Sequence, residues 1–454
     1  MRSFLAERLV RLTSGAAAVT AAGLLTAGLT APAFAAGQEQ SDQLWIHEAY
    51  EQTLPLGTDG GRPQSRTLGV GLYHDNENFT VTDGRLTVDV SGLAGVAEVT
   101  WPDNCTPSGT SAVCDIPVVP AIGNIEDQVV LTVRAADGAQ ASAQGRITYE
   151  ATATGGPNGT LTAPHESFDT TLTVGSGPDL AIAPIAPVED GQPGDERTIP
   201  LKVTNNGNES AHGITVKLYA SYGLTDLTRY DACTYTTTDG TDYAPSNKAV
   251  CTFDQVLAPG DSFELPEPLT LRLAPQAMNE RLDIDVEPGD GAQDLDSGND
   301  YTVLQISAEN TADFSVTGDA VSGAAGETAT AELTFQNNGP AWFGNLGSGD
   351  PVAEVRLVVP QGTTVTGVPS GCEPHTLTGG YYPKQTGAPR YDCDLRYWVL
   401  SDTRRTYAFS VRVDTVVPGA TGAVSIHPSY GEFGQYPYTF DPDLTNNTAS
   451  LTVN

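Results

Sequence analysis

The six cysteines of this chain are the residues whose type and spacing could do chemistry, either as metal ligands or as disulfides. They fall into three close pairs along the sequence: Cys105 with Cys114, Cys233 with Cys251, and Cys372 with Cys393. No pair has the Cys-x-x-Cys spacing that is typical of a zinc site. Because the pairs recur at similar intervals, they predict one local disulfide in each of three repeated units.

Two Asp-rich corners are the candidate metal site. Each corner precedes a predicted final strand, and their carboxylates are Asp294, Asp296, Asp300, Asp441 and Asp443. Carboxylates on tight turns are hard oxygen ligands that suit Ca²⁺, which is therefore the one candidate cofactor. The spacing does not match an EF-hand loop, and Asp and Asn in turns commonly accept hydrogen bonds from their own backbone. Calcium binding and turn capping both stay open.

Aromatic residues are concentrated in the last third of the chain, where Gly, Pro and Asn separate them. This setting predicts loops instead of regular strand positions. Exposed aromatic faces can stack on sugar rings or contact a protein partner. The candidate ligand-binding residues are Trp342, Tyr381, Tyr382, Tyr430 and Tyr436. The alternative is that these rings pack over the ends of a β-sandwich and stabilise its loops.

The pattern of histidines and acids does not predict an enzyme. The histidines are scattered, and none lies in a His-Glu-x-x-His or nucleophile-elbow context. A chain with 56 acidic residues contains paired carboxylates by chance, and a glycosidase would need two of them to converge in a cleft. We therefore expect no catalytic residues.

Charge and the N-terminal segment indicate the compartment. The formal net charge of −34 repels phosphate backbones, which argues against a nucleic-acid partner. Residues 1–35 combine a basic start, an Ala- and Leu-rich run and the small-x-small site Ala33-Phe34-Ala35, which predicts a signal peptide. No later stretch is long and apolar enough to span a membrane. We expect a secreted, extracellular monomer, with loose attachment to the cell surface left open and with an extracellular protein or polysaccharide as the candidate partner.

The elements that position these residues are short strands. After each cysteine pair comes a turn and then an alternating segment that ends in arginine; the three arginines are Arg134, Arg272 and Arg412. Period-two alternation predicts that Leu131 and Val133, and their counterparts, face a core. We expect each arginine to pair with an acid on a neighbouring strand.

A second repeated motif precedes the cysteines in two of the units. Leu201-Lys-Val203-Thr-Asn205-Asn206-Gly207 matches Leu333-Thr-Phe335-Gln-Asn337-Asn338-Gly339, and we interpret the Asn-Gly corner as a turn that tolerates positive φ. These repeats predict an all-β chain of three tandem immunoglobulin-like β-sandwich domains after the signal peptide, spanning 40–176, 178–308 and 311–454. The short linkers between them predict a semi-rigid arrangement.

The run of Asn-Asn-Gly, two cysteines, Leu-Ala-Pro-Gly, Leu-Thr-Leu-Arg and an Asp-rich corner resembles the conserved repeat domain of bacterial surface proteins, known as domain of unknown function eleven. It is also similar to the cell-adhesion-related domain found in bacteria. This resemblance implies immunoglobulin-like sandwiches that act as spacers or adhesive stalks, with no catalytic residues. We therefore predict a non-enzymatic surface or matrix protein, with a carbohydrate- or partner-binding protein as the alternative.

Overall fold

A computed structural model describes residues 41–57, 63–163, 168–428 and 439–454 of the chain. Contacts join Asp42–Asn454 into one compact unit. Strands dominate the described ranges, and the one helical element found there is the 3-10 turn Leu444–Asn447. None of the described segments forms a helix that is long and apolar enough to cross a membrane. The predicted signal peptide, residues 1–35, lies outside the described residues.

Eleven strands surround a first hydrophobic core that runs from Leu44 to Val174. They are β1 Leu44–Glu48, β2 Glu51–Pro55, β3 Ser65–His74, β4 Val81–Gly92, β5 Ala97–Thr100, β6 Cys105–Ser108, β7 Ser111–Val119, β8 Val129–Ala135, β9 Gln144–Thr154, β10 Thr160–Ala163 and β11 Asp169–Gly175. A four-stranded sheet, β1-β3-β8-β5, faces a seven-stranded sheet, β2-β11-β9-β4-β7-β6, in which β10 pairs with β9.

A second core extends from Leu180 to Ala308. Its strands are β12 Leu180–Ile182, β13 Val188–Gly191, β14 Glu196–Ile199, β15 Lys202–Asn205, β16 Ala211–Ser221, β17 Leu224–Thr225, β18 Cys233–Thr238, β19 Ser246–Leu257, β20 Ser262–Glu264, β21 Leu269–Leu273, β22 Asn279–Pro288 and β23 Tyr301–Ala308. The six-stranded sheet β13-β23-β22-β16-β19-β18 lies on one side of this core, and the short sheets β12-β15-β20 and β14-β21-β17 lie on the other.

The third core is built mainly from residues 312–453. Its strands are β24 Phe314–Thr317, β25 Ala320–Val321, β26 Thr328–Asn337, β27 Phe343–Gly344, β28 Ala353–Val358, β29 Thr363–Gly367, β30 Cys372–His375, β31 Arg390–Asp394, β32 Trp398–Val399, β33 Arg404–Val413, β34 Ala420–Pro428 and β35 Thr448–Val453. Sheet β24-β26-β33-β29 faces sheet β25-β35-β34-β28-β31-β30, and β27 pairs with β32.

The same plan recurs around all three cores. The larger sheet ends on one side in a short strand paired in parallel: β2 with β11, β13 with β23, and β25 with β35. On the other side it ends in a disulfide-bonded edge strand: β6, β18 or β30. The fold is all-β and immunoglobulin-like, as the sequence predicted. The exact domain boundaries remain a prediction, because the contacts within 42–454 do not divide this range.

Alternation along the strands explains the cores. In β8, Leu131 and Val133 are fully buried, as the period-two pattern predicted, and Val129 is buried with them, while the residues between them point outward. The equivalent strands β21 and β33 bury alternate Leu, Tyr, Phe and Val side chains in the same way. Of the repeated arginines, Arg134 pairs with Glu98 directly across β5 and β8. Arg272 pairs with Asp226, whereas Arg412 pairs with Asp414, two residues along its own chain segment.

Candidate functional site

The three disulfides Cys105–Cys114, Cys233–Cys251 and Cys372–Cys393 are present. In each case the two cysteines lie directly opposite one another on paired antiparallel strands at the edge of the larger sheet. The bridge therefore ties an edge strand to its neighbour, instead of joining the two sheets through the core.

In each repeated Asn-Asn-Gly motif the first Asn is buried, and its side-chain amide joins four backbone groups by hydrogen bonds. We call this arrangement a bracket. The fully buried amide of Asn205 donates to the carbonyl oxygens of Glu209 and Leu257 at 2.8 and 2.9 Å, and its oxygen accepts from the backbone N–H groups of Asp179 and Gly207 at 3.1 and 3.0 Å. All four hydrogen-bonding positions of the amide are thus satisfied by protein groups. The bracket fixes the segment that enters the second core.

Asn337 makes the same four bonds at the entrance to the third core. Its amide donates to Ala341 and Leu400 carbonyls, and its oxygen accepts from the backbone N–H groups of Asp313 and Gly339. The motif glycine is required for a reason that the sequence did not suggest. Gly207 and Gly339 are not among the positive-φ residues; a Cβ on Gly339 would lie 2.6 Å from the Asp313 nitrogen, and one on Gly207 would lie 2.2 Å from the Gly177 oxygen.

The Asp-rich corners complete these brackets. Asp294 accepts backbone N–H groups from Leu180 at 2.7 Å and from Asp296 at 2.9 Å. Asp441 accepts the equivalent N–H groups from Phe314 at 3.3 Å and from Asp443 at 3.1 Å. The same strand entry is therefore held from two sides, by an Asn and by an Asp.

These contacts are the turn chemistry that the sequence analysis set against calcium. Asp443 likewise accepts from the backbone and hydroxyl of Thr445. Within the described ranges no group of three or more His, Cys, Asp and Glu side chains is arranged to hold a metal ion. Burial, followed by the charges of Asp294 and Asp285, raises the pKa of Asp300 to about 7. Calcium binding at these corners stays a prediction.

The segment between the first and second cores, which we call the first junction (residues 175–180), is bonded on both sides. The Gly177 N–H donates to the side-chain oxygen of Asn208 at 2.9 Å, and the Gly177 carbonyl accepts from the backbone of Asn208 at 3.1 Å. On the side of the first core, the Leu56 N–H donates to the Gly175 carbonyl oxygen at 2.9 Å, and Gln52 donates to Asp296 at 2.9 Å. The segment that joins the two cores is therefore held by hydrogen bonds and is not a flexible linker.

A buried ion pair closes the first junction. Arg66 in β3 contacts the carboxylate of Asp179, and their side chains are 9% and 0% exposed. Arg66 also donates to the carbonyl oxygen of Asn206 at 3.3 Å, and Asn299 donates to Asp179 at 3.0 Å. Removing one partner of a buried pair leaves the other charge uncompensated, which typically costs about 3–5 kcal/mol. The pair therefore couples the first core to the entry of the second.

The second junction (residues 308–313, with the side chains that enclose it) contains a different buried group. Glu280, 1% exposed, accepts hydrogen bonds from the backbone of Gly223 at 2.9 Å and of Met278 at 3.2 Å, and from the indole N–H of Trp342 at 2.6 Å. The hydroxyl of Ser221 donates to the same carboxylate. Burial raises the pKa of Glu280, and these hydrogen bonds oppose that shift.

Trp342 is therefore not an exposed ligand-binding ring, and that prediction was wrong. The ring is 1% exposed and packs edge-on against Tyr222 of the second core, with centroids 5.7 Å apart. It is buried because the indole combines a large apolar surface with one N–H donor, and Glu280 supplies the acceptor. Met278, on the second core's side of the junction, belongs to the third hydrophobic core.

The aromatic loop after β30 retains the other two candidates that can be placed. Tyr381 is 84% exposed, and Leu377 in the same loop is 63% exposed. Tyr382 is half-buried, and its hydroxyl donates to the carbonyl oxygen of Gly387 at 2.9 Å. Both tyrosines line a cavity of about 410 Å³ that also includes Lys384. Tyr430 and Tyr436 lie outside the described residues.

A cluster of charged side chains, Glu354, Arg356, Arg390 and Asp392, lies on β28 and β31. Burial, and next the charge of Asp392, raises the pKa of Glu354 to about 7. Burial opposes ionisation of Asp392 as well, but hydrogen bonds from Arg390 and Arg356 outweigh it and lower the pKa of Asp392 to about 2. The arginines neutralise one carboxylate and leave the other easily protonated, which is the behaviour of a structural ion-pair network.

The sequence analysis missed Arg66, Asp179 and Glu280, the three side chains that close the junctions. Asp179 carried one detectable signal, because Asp179 and Asp313 stand at similar distances, 26 and 24 residues, before the first Asn of the repeated Asn-Asn-Gly motif. Glu280 carried another signal, because it stands in phase with Leu282 and Ile284 on the buried face of β22, where an acid needs buried partners.

No protein family matches this sequence, and no curated protein matches it. Among solved structures, the chain is similar to Dpr2 Ig1-Ig2 in complex with DIP-Theta Ig1-Ig3 at 8% identity and a TM-score of 0.24, covering 90% of this chain and 99% of that one. A putative membrane anchored protein from Corynebacterium diphtheriae matches at 8% identity and a TM-score of 0.18, covering 90% and 95%. The C-terminal domain of the Streptococcus agalactiae AgI/II polypeptide BspA matches at 9% identity and a TM-score of 0.18, covering 61% and 99%. At these TM-scores the similarities do not bear on function.

Proposed function

We propose that this chain is a non-enzymatic extracellular protein in which three sandwich domains are held at fixed angles, so that it serves as a spacer or adhesive stalk at a cell surface. The observation that carries the proposal is the construction of the junctions. Each one is closed by a buried charged side chain whose partners come from both adjoining cores: Asp179 with Arg66, and Glu280 with Trp342.

The energetics favour a fixed arrangement over independent domains. Opening the first junction would separate the two buried charges, and opening the second would leave Glu280 without one of its donors. Both events carry the penalty of a buried polar group left unpaired. Flexible linkers between domains usually lack such contacts. Junctions of this kind suit a protein that holds its domains at a fixed distance and orientation.

An extracellular location agrees with the bridges. Disulfides persist in oxidising compartments and are rare where thiols are kept reduced. All six cysteines of the chain are paired. Neither junction contains Lys or Arg, so resistance to proteinase K, which cleaves exposed segments with little sequence preference, tests the proposal directly. We expect digestion of the oxidised protein to leave both junctions intact, whereas the variant Asp179→Asn should be cut near residues 175–180. Early cleavage of the wild type at both junctions would contradict the proposal.

A second candidate function is supported by one observation, the exposure of Tyr381 beside Tyr382 and Lys384. An exposed ring on a loop is suited to contact a carbohydrate or a protein partner. Pull-down on insoluble polysaccharides tests it. Retention that disappears in Tyr381→Ala would support this site, and equal retention of the variant would exclude the loop as the binding surface.

A further inference from the structure

A cleft of about 390 Å³ lies where the second and third cores meet. One wall is the outer face of the six-stranded sheet of the second core, and the other is the loop of residues 345–349 together with Tyr397. Two hydrogen bonds fix these walls to each other. Arg281 donates to the Leu346 carbonyl oxygen at 3.2 Å, and the Tyr397 hydroxyl accepts from the Ala244 N–H at 2.8 Å.

Tyr219 lies on the sheet wall of this cleft. Strand register places Lys248 of β19 and Asp283 of β22 directly opposite it on either side. The Lys248 ammonium lies 4.5 Å from the Tyr219 ring centroid, so the ring is held by a cation–π contact. A half-buried aromatic ring between a cation and a carboxylate offers an apolar surface next to groups that bind hydroxyls.

The hydrogen-bonding groups of the cleft are already oriented by one another. Arg281 donates to Asp283 Oδ1 at 2.7 Å, and the Tyr301 hydroxyl donates to the same oxygen at 2.6 Å. Among the residues that the structure describes, no group donates a hydrogen bond to the other oxygen, Oδ2. The Tyr397 hydroxyl, which accepts from Ala244, keeps its proton for donation. A fixed acceptor and a fixed donor therefore remain for a ligand.

We propose that this cleft is a binding site for an uncharged oligosaccharide. Its volume is in the usual range for ligand sites, about 300–1,000 Å³, and such sites are common at interfaces between domains. Sugar hydroxyls both donate and accept, which matches Asp283 Oδ2 and the Tyr397 hydroxyl, and sugar C–H faces pack on aromatic rings such as Tyr219. Arg281 and Lys248 against Asp283 leave one net positive charge beside the cleft, but the formal net charge of −34 on the whole chain opposes the approach of an anion. The site is distinct from the Tyr381 loop and does not depend on the spacer role.

The test is titration of the full-length protein with neutral tetrasaccharides, namely cellotetraose, N-acetylchitotetraose and mannotetraose, with tetragalacturonate as the charged comparison. Tryptophan fluorescence reports on the cleft because Trp398 packs against Tyr397, with centroids 4.3 Å apart. Calorimetry gives the affinity independently. We expect at least one neutral tetrasaccharide to bind at millimolar concentration or below, and to bind more tightly than tetragalacturonate.

Two variants locate the site. Tyr219→Ala removes the ring, and Asp283→Asn replaces the open acceptor by a donor without changing the side-chain size. We expect each to weaken binding about tenfold or more, as loss of a central contact does. Tyr50→Ala is the matched control, because it removes an exposed tyrosine of the first core that does not line the cleft, and it should leave the affinity unchanged. Tyr381→Ala distinguishes this cleft from the aromatic loop.

Three results would overturn the proposal: no binding of any neutral tetrasaccharide, stronger binding of the charged one, or full affinity in both Tyr219→Ala and Asp283→Asn. Binding that is lost only in Tyr381→Ala would assign the ligand to the aromatic loop instead. If Tyr219→Ala alone unfolds, the isosteric Asp283→Asn variant decides the matter. The spacer role rests on the junctions and not on this cleft, so failure of the oligosaccharide proposal would not affect it.

Discussion

Trp342→Phe is the substitution that tests the second junction most sharply. It keeps an aromatic ring in the buried space against Tyr222 and removes the indole N–H that donates to Glu280 at 2.6 Å. Glu280 stays buried with one donor fewer. The change is therefore aimed at a single hydrogen bond across the junction.

The expected loss has two parts. A hydrogen bond to a charged group contributes about 1.5–3 kcal/mol. The smaller ring also gives up buried apolar surface, worth about 1 kcal/mol by comparison with a methylene group. Together they predict that Trp342→Phe lowers the free energy of unfolding by about 2.5–4 kcal/mol. That loss is a large fraction of the stability of an ordinary domain.

Trp398→Phe is the matched control. Trp398 is also buried in this part of the chain, at 7% exposure, and its indole N–H donates to none of the described residues. It should lose only the surface contribution. Urea denaturation followed by circular dichroism measures both variants under the same conditions, with unchanged m-values as the check for two-state behaviour. The reasoning fails if Trp342→Phe is no more destabilising than Trp398→Phe.

The remaining predictions concern the brackets and the pH dependence. Asn205→Ala leaves four backbone partners unsatisfied and should cost about 3–5 kcal/mol in urea denaturation, whereas the exposed substitution Tyr381→Phe should change stability by less than about 0.5 kcal/mol. Folded Asp300 has a raised pKa of about 7 and holds its proton more tightly than the unfolded chain, in which Asp titrates near about 4. The stabilisation from Asp300 is therefore fully present below about pH 4 and is lost as the pH rises to about 7. Asp300→Asn should make the melting temperature depend less on pH between these two values. If Asp294 only caps the backbone, Asp294→Asn should lower the melting temperature equally with and without millimolar calcium; if the corner binds Ca²⁺, calcium should raise the melting temperature of the wild type and not that of this variant.

Local patterns were sufficient to predict the strands and the bridges. Leu131 and Val133 could be assigned to a core because alternation with period two reflects strand geometry itself. The cysteine pairs could be matched because each partner lies close by in the sequence. The repeated Asn-Asn-Gly motif was recognised as a corner, but its cause was not, because the close approach of Gly207 to the Gly177 carbonyl depends on how the chain enters the next core.

The contacts between cores could not be predicted in the same way. Trp342 and Glu280 are 62 residues apart and contact each other only because two separate sandwiches meet. A tryptophan between glycine- and asparagine-rich segments looks exposed in sequence, and burial by a neighbouring core leaves no periodic signal. The same holds for Arg66 and Asp179. Sequence patterns report which face of a strand is buried, but not which loop is covered by another core.

Distance measurement between the cores tests the central claim, that the junctions hold the sandwiches in fixed relation. Spin labels would be attached to cysteines introduced at the exposed positions Ser91, Asp254 and Glu332, one on each core, with the native disulfides intact. Double electron–electron resonance should give one narrow distance distribution for the labels at Ser91 and Asp254, and another for the labels at Asp254 and Glu332. Trp342→Phe should broaden only the second. Broad distributions for both pairs in the wild type would contradict the account, because they would show sandwiches that move independently.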